Sequence, residues 1–273
     1  MNELFDTHCH IQSIGQNIGE RSTRELWTKA DGLTIDTVVS QANQAGVQQM
    51  ICVGCELPDS KLAIECAANR DGLYASIGIH PHEAQHYAGQ KGLLDEFAAL
   101  AKQPKVVAVG ETGLDYFYEH SPKQAQIVIL KFQIELAIQH DLAMIFHVRE
   151  AFNDFWPIFE SYPAGSIRGV IHSFTDSAEN MKRAIDHGLY IGVNGIATFA
   201  KEEEKTVMYR TIPLDSLLLE TDSPFLTPSP YRGSINEPKH IRTIAEFLET
   251  IRGHGQQKLA EATTKNAKAL FRV

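Results

Sequence analysis

The chain has 273 residues, 43% of them hydrophobic, and a formal net charge of −9. That length and apolar content suffice for one large core, and α/β barrels commonly reach this size as a single domain. An acidic chain is a poor candidate for tight, sequence-independent binding to nucleic acid, which rests on Lys and Arg neutralising phosphates, although metal ions can supply positive charge at a single phosphodiester.

Met1-Asn2-Glu3-Leu4-Phe5-Asp6 has neither the basic stretch nor the long apolar stretch of a secretory signal. No apolar run approaches membrane-spanning length. The expectation is a soluble cytoplasmic protein without membrane contact. In that compartment Cys9, Cys52, Cys55 and Cys66 are not expected to form disulfides. Cys52 and Cys55 have CxxC spacing, but no second pair accompanies them, so they read as small buried side chains.

Leu4–His8 reads as the first strand. Residues 12–34 are polar and glycine-containing, with a short helix expected around Ser22–Lys29, and connections this long are commonly functional or mobile. Helical periodicity then runs from Asp36 to Ala45 and stops at Gly46. Further strands are expected at 49–53, 74–79, 105–109, 143–147, 169–172, 190–193 and 217–220. Helices are expected between them at 59–69, 93–102, 122–140, 152–159, 178–187 and 202–209, and two more close the chain at 240–251 and 256–270. This alternation, without repeat or linker, argues for right-handed βαβ units and a parallel sheet. Eight units in this length favour one closed (β/α)8 TIM barrel, a single domain over residues 1–273. An open doubly wound sheet is the alternative, but no glycine-rich phosphate loop follows the first strand.

Such a barrel gathers its functional residues at the carboxyl ends of its strands. His8 and His10 follow the first strand and share one face by alternation. His80 follows the third strand, Glu111 the fourth, His147 the fifth and His172 the sixth. The apolar run Leu217-Leu218-Leu219 ends in Glu220-Thr221-Asp222-Ser223-Pro224, where two carboxylates are costly to bury unless positive charge meets them. A single histidine after an apolar strand is ordinarily a hydrogen-bonded structural residue. A single acid there is ordinarily a helix cap. Collected at one edge from strand after strand, they read instead as a metal cluster. His86, His120, His140, His187, His240 and His254 fall on helices or loops and read as structural. Imidazole with carboxylate suits Zn²⁺, Mn²⁺ or Fe²⁺, whereas Mg²⁺ prefers more oxygen. His8, His10, Glu111, His147, His172 and Asp222 are too many ligands for one tetrahedral catalytic site. Two ions sharing a bridging carboxylate would use them all.

Phe5-Asp6-Thr7-His8-Cys9-His10, Gly78-Ile79-His80-Pro81-His82, Gly110-Glu111-Thr112-Gly113-Leu114-Asp115, Phe146-His147-Val148-Arg149, Ile171-His172-Ser173-Phe174 and Glu220-Thr221-Asp222-Ser223-Pro224 stand in this order along the chain. Together they resemble the successive motifs of the TatD family of metal-dependent deoxyribonucleases, within the amidohydrolase superfamily of TIM barrels. The resemblance implies a 3′–5′ exonuclease-type DNA phosphodiesterase that uses a water held between two divalent ions. The family's metals are Mg²⁺ or Mn²⁺, with Zn²⁺ compatible. It implies that His8, His10 and Asp222 hold one ion, Glu111 bridges, and His147 with His172 holds the other. His80 and Arg232 would approach the substrate phosphate, and Asp222 would orient the water and take its proton. Single-stranded 3′ ends are the implied substrate and a monomer the expected state.

Two departures bear on this. Residues 12–34 look longer than the family's first loop. The late motif, usually Arg-Gly-Lys-Arg-Asn-Glu-Pro, is here Arg232-Gly233-Ser234-Ile235-Asn236-Glu237-Pro238, two cations poorer, so weak DNA binding is expected. The alternatives are an acyl or amide hydrolase on the same metals, such as a D-aminoacyl-tRNA deacylase, and a non-catalytic metal-binding protein. Glu111 stands where an amidase-like relative would carry a carbamylated lysine, which disfavours the first of these.

Overall fold

A computed structural model describes residues 3–273 apart from 31, 201 and 254, so His254 lies outside the described residues. Eight strands pair in parallel and in chain order: β1 (Leu4–Cys9), β2 (Val47–Val53), β3 (Leu73–Ile77), β4 (Val106–Asp115), β5 (Ala143–Arg149), β6 (Gly169–Ile171), β7 (Tyr190–Val193) and β8 (Leu217–Leu219). Helices α1 (Arg21–Trp27) and α2 (Ile35–Gln44) follow β1, and α3 (Leu57–Ala68) follows β2. The short α4 (Ala84–Tyr87) and α5 (Lys91–Ala99) follow β3, and α6 (Lys123–His140) follows β4. Next come α7 (Phe152–Phe159), α8 (Ala178–Asp186) and α9 (Glu203–Thr211), with α10 (Ile241–Arg252) and α11 (Gln256–Phe271) after β8.

Closure comes from the residues just past β8. Cys9 and Ser223 form a parallel bridge. Asp222 N donates to His8 O and His10 N donates to Ser223 O, both at 2.8 Å. Deeper in the seam the Asp6 carboxylate accepts from Thr221 N at 2.9 Å and from Thr221 Oγ1 at 2.6 Å. The result is the (β/α)8 TIM barrel. Its seam is made by the same two segments that carry His8, His10 and Asp222.

The pleat sorts the core. Leu217 and Leu219 join the apolar layer that also holds Leu4, Met50, Phe146 and Ile191. Leu218, between them, joins a separate cluster with Phe5, Ile51, Val53, Ile145 and Val170. Leu270 and Phe271 of α11 complete that second cluster. Asn266 holds α11 there, donating to Leu214 O at 2.8 Å and Leu217 O at 2.9 Å, while Thr264 Oγ1 donates to Glu3 O at 3.0 Å. The last helix thus seats against the amino ends of β8 and β1, opposite the histidines.

The largest shift from the expected elements is in β4. The sequence suggests an end at Val109, but the strand runs to Asp115, because Thr112, Gly113, Leu114 and Asp115 pair with Phe146, His147, Val148 and Arg149 of β5. Glu111 therefore lies within a strand rather than after one. The expected short helix is α1, and it is tied to the end of β1: Trp27, 4% exposed, donates Nε1 to His10 O at 3.0 Å. Gln12 and Ser13 donate to the buried Asp59 carboxylate. All four cysteines are free and buried. No described helix is long and apolar enough to cross a membrane.

Candidate metal centre

The carboxyl end of β1 directs two imidazoles into one space. His8 Nε2 and His10 Nε2 face each other at 3.2 Å. His10 Nδ1 lies 2.8 Å from Val53 O and donates to it, which leaves Nε2 to face the site. The long β4 brings Glu111 into the same space. Gly78 lets it pass, since a Cβ there would lie 2.3 Å from Glu111 N and 2.4 Å from the Gly110 carbonyl carbon. Beyond β8 the chain turns through Asp222, whose φ of 59° is a left-handed conformation that Asp tolerates better than most residues.

Glu111 divides its oxygens between two groups. Oε2 lies 3.3 Å from His8 Nε2. Oε1 lies 2.6 Å from His147 Nδ1, 3.5 Å from His80 Nε2 and 3.8 Å from His172 Nε2. Asp222 Oδ1 lies 3.3 Å from His10 Nε2 and 3.6 Å from His8 Nε2. All six ligand positions anticipated from the motifs, and His80 with them, therefore meet in one place. Arg232 does not: it is exposed, with its guanidinium 5.2 Å over the Phe199 ring and outside the cleft lining.

Charge balance inside the cluster is extreme. Burial pulls the His10 imidazole down, but the Asp222 carboxylate overcomes this and holds it up at about 9. His147 likewise stands at about 9, burial being outweighed by Asp115 and Glu111, and His172 at about 10, raised chiefly by Glu220 and Glu111. Burial lowers His80 to about 4. It also lowers His8, helped by the neighbouring His172. Burial pushes the Glu111 carboxyl up, but the surrounding imidazoles, His172 foremost, hold it well below the usual range. Asp222 is lowered in the same way against its burial, mainly by His10. Carboxylates that demand positive charge, among imidazoles whose protons a cation would replace, are the chemistry of a divalent metal site. His8 Nδ1 is buried with no hydrogen-bond partner among the described residues, and His8 with His10 and Glu111, and His80 with His147 and Glu111, each place ligand atoms close enough for one ion.

Apart from the fully buried His8, the cluster lines an open cleft of about 710 Å³. Its walls include Glu20 to Thr23 of the first loop, His82, Tyr118, His120, Arg149 and Phe225. A model of the family of TatD related DNases matches residues 5–272. The chain belongs to the TatD family. It is 34% identical over 270 residues to the uncharacterized metal-dependent hydrolase YabD of Bacillus subtilis, with 99% of each chain covered. It is 39% identical to the deoxyribonuclease Tat-D of Schizosaccharomyces pombe over 85% of each chain. The 3′-5′ ssDNA/RNA exonuclease TatD of Salmonella typhimurium is 33% identical over 87% of this chain and 93% of its own. Among solved structures the TatD homolog YjjV of Escherichia coli K12 aligns with a TM-score of 0.86 at 27% identity, covering 99% of this chain and 98% of that one. With the buried cluster, this makes the protein a metal-dependent hydrolase of the TatD family.

Three supporting residues escaped the reading of single strand ends. Asp115 accepts from His82 Nε2 at 3.0 Å and His147 Nε2 at 3.1 Å, and those imidazoles hold its carboxyl far below the usual range against its burial. Glu220 lies behind His172, its Oε1 3.0 Å from His172 Nδ1, and accepts from Ser173 N at 2.6 Å. Gly192 makes room for it, since a Cβ there would lie 2.5 Å from Glu220 Oε2. His82 is the third. The signals were present, as the acids closing Gly110–Asp115 and opening Glu220–Pro224 and as the second histidine of His80-Pro81-His82. His120, read as structural, lines the cleft.

Proposed function

We propose that this protein is a phosphodiesterase that trims DNA from single-stranded 3′ ends with two divalent cations, Mg²⁺ or Mn²⁺, or Zn²⁺ in their place. The observation that carries the reading is the division of Glu111, one oxygen toward His8 and the other toward His147, His80 and His172. A carboxylate so shared suits two cations better than one. When bound, such a pair makes a nucleophile available near neutral pH and neutralises charge on a phosphodiester in flight. His8, His10 and Asp222 would hold one ion, and His147 and His172 the other, with Glu111 between them. The named activities of the fission-yeast and Salmonella relatives support the choice of nucleic acid.

The chain's own residues then have distinct tasks. Asp222, 14% exposed at its side chain, reaches the cleft and is the group placed to accept a proton from the attacking water. His80, at the cleft wall, steadies a phosphate oxygen as charge develops. Only Arg21 and Arg149 among the described cleft residues carry fixed positive charge, and Arg21 is paired with Glu25 at 2.6 Å, which supports weak binding. Every proposed ligand comes from one chain, so a monomer suffices for activity. Four free, buried cysteines fit the reducing cytoplasm.

The test is a substrate panel on metal-reconstituted protein: single-stranded DNA labelled at either end, a chromogenic phosphodiester and an aminoacyl ester. Stepwise shortening from the 3′ end and turnover of the diester are the expected results. Hydrolysis of the aminoacyl ester alone would replace the phosphodiesterase reading with the acyl-hydrolase reading.

A further inference from the structure

Two adjacent aromatic side chains stand half in solvent beside the metal centre. Phe117 and Tyr118 are each 50% exposed. The other exposed large apolar side chains, such as Ile18, Leu93, Val128 and Ile138, are scattered, and such scatter is ordinary. Tyr118 also lines the cleft that holds Glu111 and His147, together with His82, His120 and Arg149.

The position of this pair is fixed from below. Asp115 Oδ1 accepts from Phe117 N at 3.0 Å and Tyr118 N at 2.9 Å. The other oxygen of the same carboxylate accepts from His147 Nε2 at 3.1 Å. One side chain thus sets both the aromatic turn and a histidine of the metal centre. The Tyr118 ring is backed by His120, parallel to within 4° at 5.6 Å, and met edge-on by His82 at 5.6 Å. The Arg149 guanidinium lies 4.2 Å over Phe117 and 4.8 Å over Tyr118.

We propose that Tyr118, supported by His120 and Phe117, is a stacking platform for the 3′-terminal base of a single strand, the base taking the place over the ring that the Arg149 guanidinium holds in this structure and Arg149 turning to the adjoining backbone phosphate. Every nucleobase has a flat π face, so an exposed, anchored ring next to a cation suits a strand without selecting its sequence. Arg adds a planar fork of donors that matches phosphate and can also lie on a ring. A small aliphatic ester offers no flat surface to such a ring. The inference rests on the phosphodiesterase reading and deepens it, for in a cleft poor in cations stacking would carry much of the grip on the strand end.

The probe is a single-stranded hexanucleotide with 2-aminopurine at its 3′ end, whose fluorescence falls on stacking, joined by phosphorothioate links to slow cleavage. It is titrated in Mn²⁺ against the wild-type protein, Tyr118→Leu and Tyr118→Phe. Cleavage of the ordinary strand is measured in parallel. The expected result is quenching by the wild type and by Tyr118→Phe, with affinity lower by roughly 5- to 150-fold in Tyr118→Leu, the range of one base–aromatic stack. KM for the ordinary strand should rise by a similar factor in Tyr118→Leu, while a strand ending in an abasic residue is cleaved alike by both proteins. Equal quenching by the wild type and Tyr118→Leu, or none by a wild type that cleaves the ordinary strand, overturns the platform and leaves the phosphodiesterase reading intact. Quenching without cleavage overturns that reading while the base site stands. Neither quenching nor cleavage overturns both.

Discussion

Asp222 is held by backbone geometry rather than by packing alone. Its N–H donates to His8 O, its φ is 59°, and its carboxylate reaches both His8 and His10. An amide in its place keeps an oxygen for an ion but cannot take up a proton. Asp222→Asn should therefore lower turnover by about 10²-fold or more while bound metal changes little. Metal analysis beside kinetics checks this, and near-normal turnover with full metal would remove the proton-accepting role. Glu220 acts one step back. It touches His172 and the Ser173 backbone rather than the open cleft, so it is a positioning residue. Glu220→Gln keeps the size but weakens the partner of His172, and losses of about 10–100-fold in metal affinity are usual for such changes. A calorimetric metal titration reads this without substrate, and unchanged affinity would make Glu220 merely structural. Both residues sit in the stretch Glu220–Pro224, but only Asp222 was singled out as a ligand. A carboxylate's partner depends on where its strand neighbours lie, and His172 is far from Glu220 in sequence.

The strands themselves were legible, because strands covered on both faces are nearly continuous apolar runs. Leu217–Leu219 and Ala143–Phe146 are of this kind, and both lie in strands. The end of β4 was not legible. Gly110-Glu111-Thr112-Gly113 breaks the apolar run, yet its backbone continues into pairing with β5, a contact set by the partner rather than by its own composition. The four-residue α4 was missed because one turn carries no period to detect. Closure of the seam was equally hidden, since it depends on Asp6 meeting Thr221 from the far end of the chain. Convergence of the histidines could be anticipated because one barrel edge collects every strand end. The walls of the cleft could not, because they come from loops whose course only packing decides. One consequence belongs to β3 and β4 together. Backbone surrounds Gly78 on several sides, with Gly54 O at 2.5 Å as well as Glu111 N at 2.3 Å from a notional Cβ. Gly78→Ala should cost about 1–3 kcal/mol of stability through overpacking and should displace Glu111. Denaturant unfolding and metal content measure the two effects, and a variant equal to wild type in both would contradict the close packing.

For the molecule as a whole, charge decides how stability and binding respond to solution conditions. His10 and His147 at about 9 and His172 at about 10 all stand above the free imidazole value of 6.5. In metal-free protein their contribution is complete below pH 6.5 and is lost as pH rises through 9 to 10. Asp6, raised to about 7 by burial, has the same sign, its contribution being lost as pH rises from 3.8 through 7. Glu111 and Asp222, both lowered, have the opposite sign and destabilise the fold once pH falls below the ordinary carboxylate range. The metal-free protein should melt at steadily lower temperature as pH rises above 6.5, and added divalent metal should raise the melting temperature more at about pH 8 than at about pH 6, because ligation requires the imidazoles to lose their protons. A metal-free melting temperature that rises over that interval would contradict this balance. With a net charge of −9, DNA binding should weaken only shallowly with salt, by about 0.7 in the logarithmic slope per phosphate, for roughly one to three phosphates. A steep slope would reveal a basic track that the described cleft lacks. Sharing of Glu111 between two ions is tested by a metal titration of the wild type and Glu111→Ala, with turnover followed at each addition. The wild type should take up two ions per chain with activity following the second, and Glu111→Ala should hold both ions more weakly and turn over more than about 100-fold more slowly. Two ions retained at full occupancy in Glu111→Ala with normal turnover would contradict that sharing.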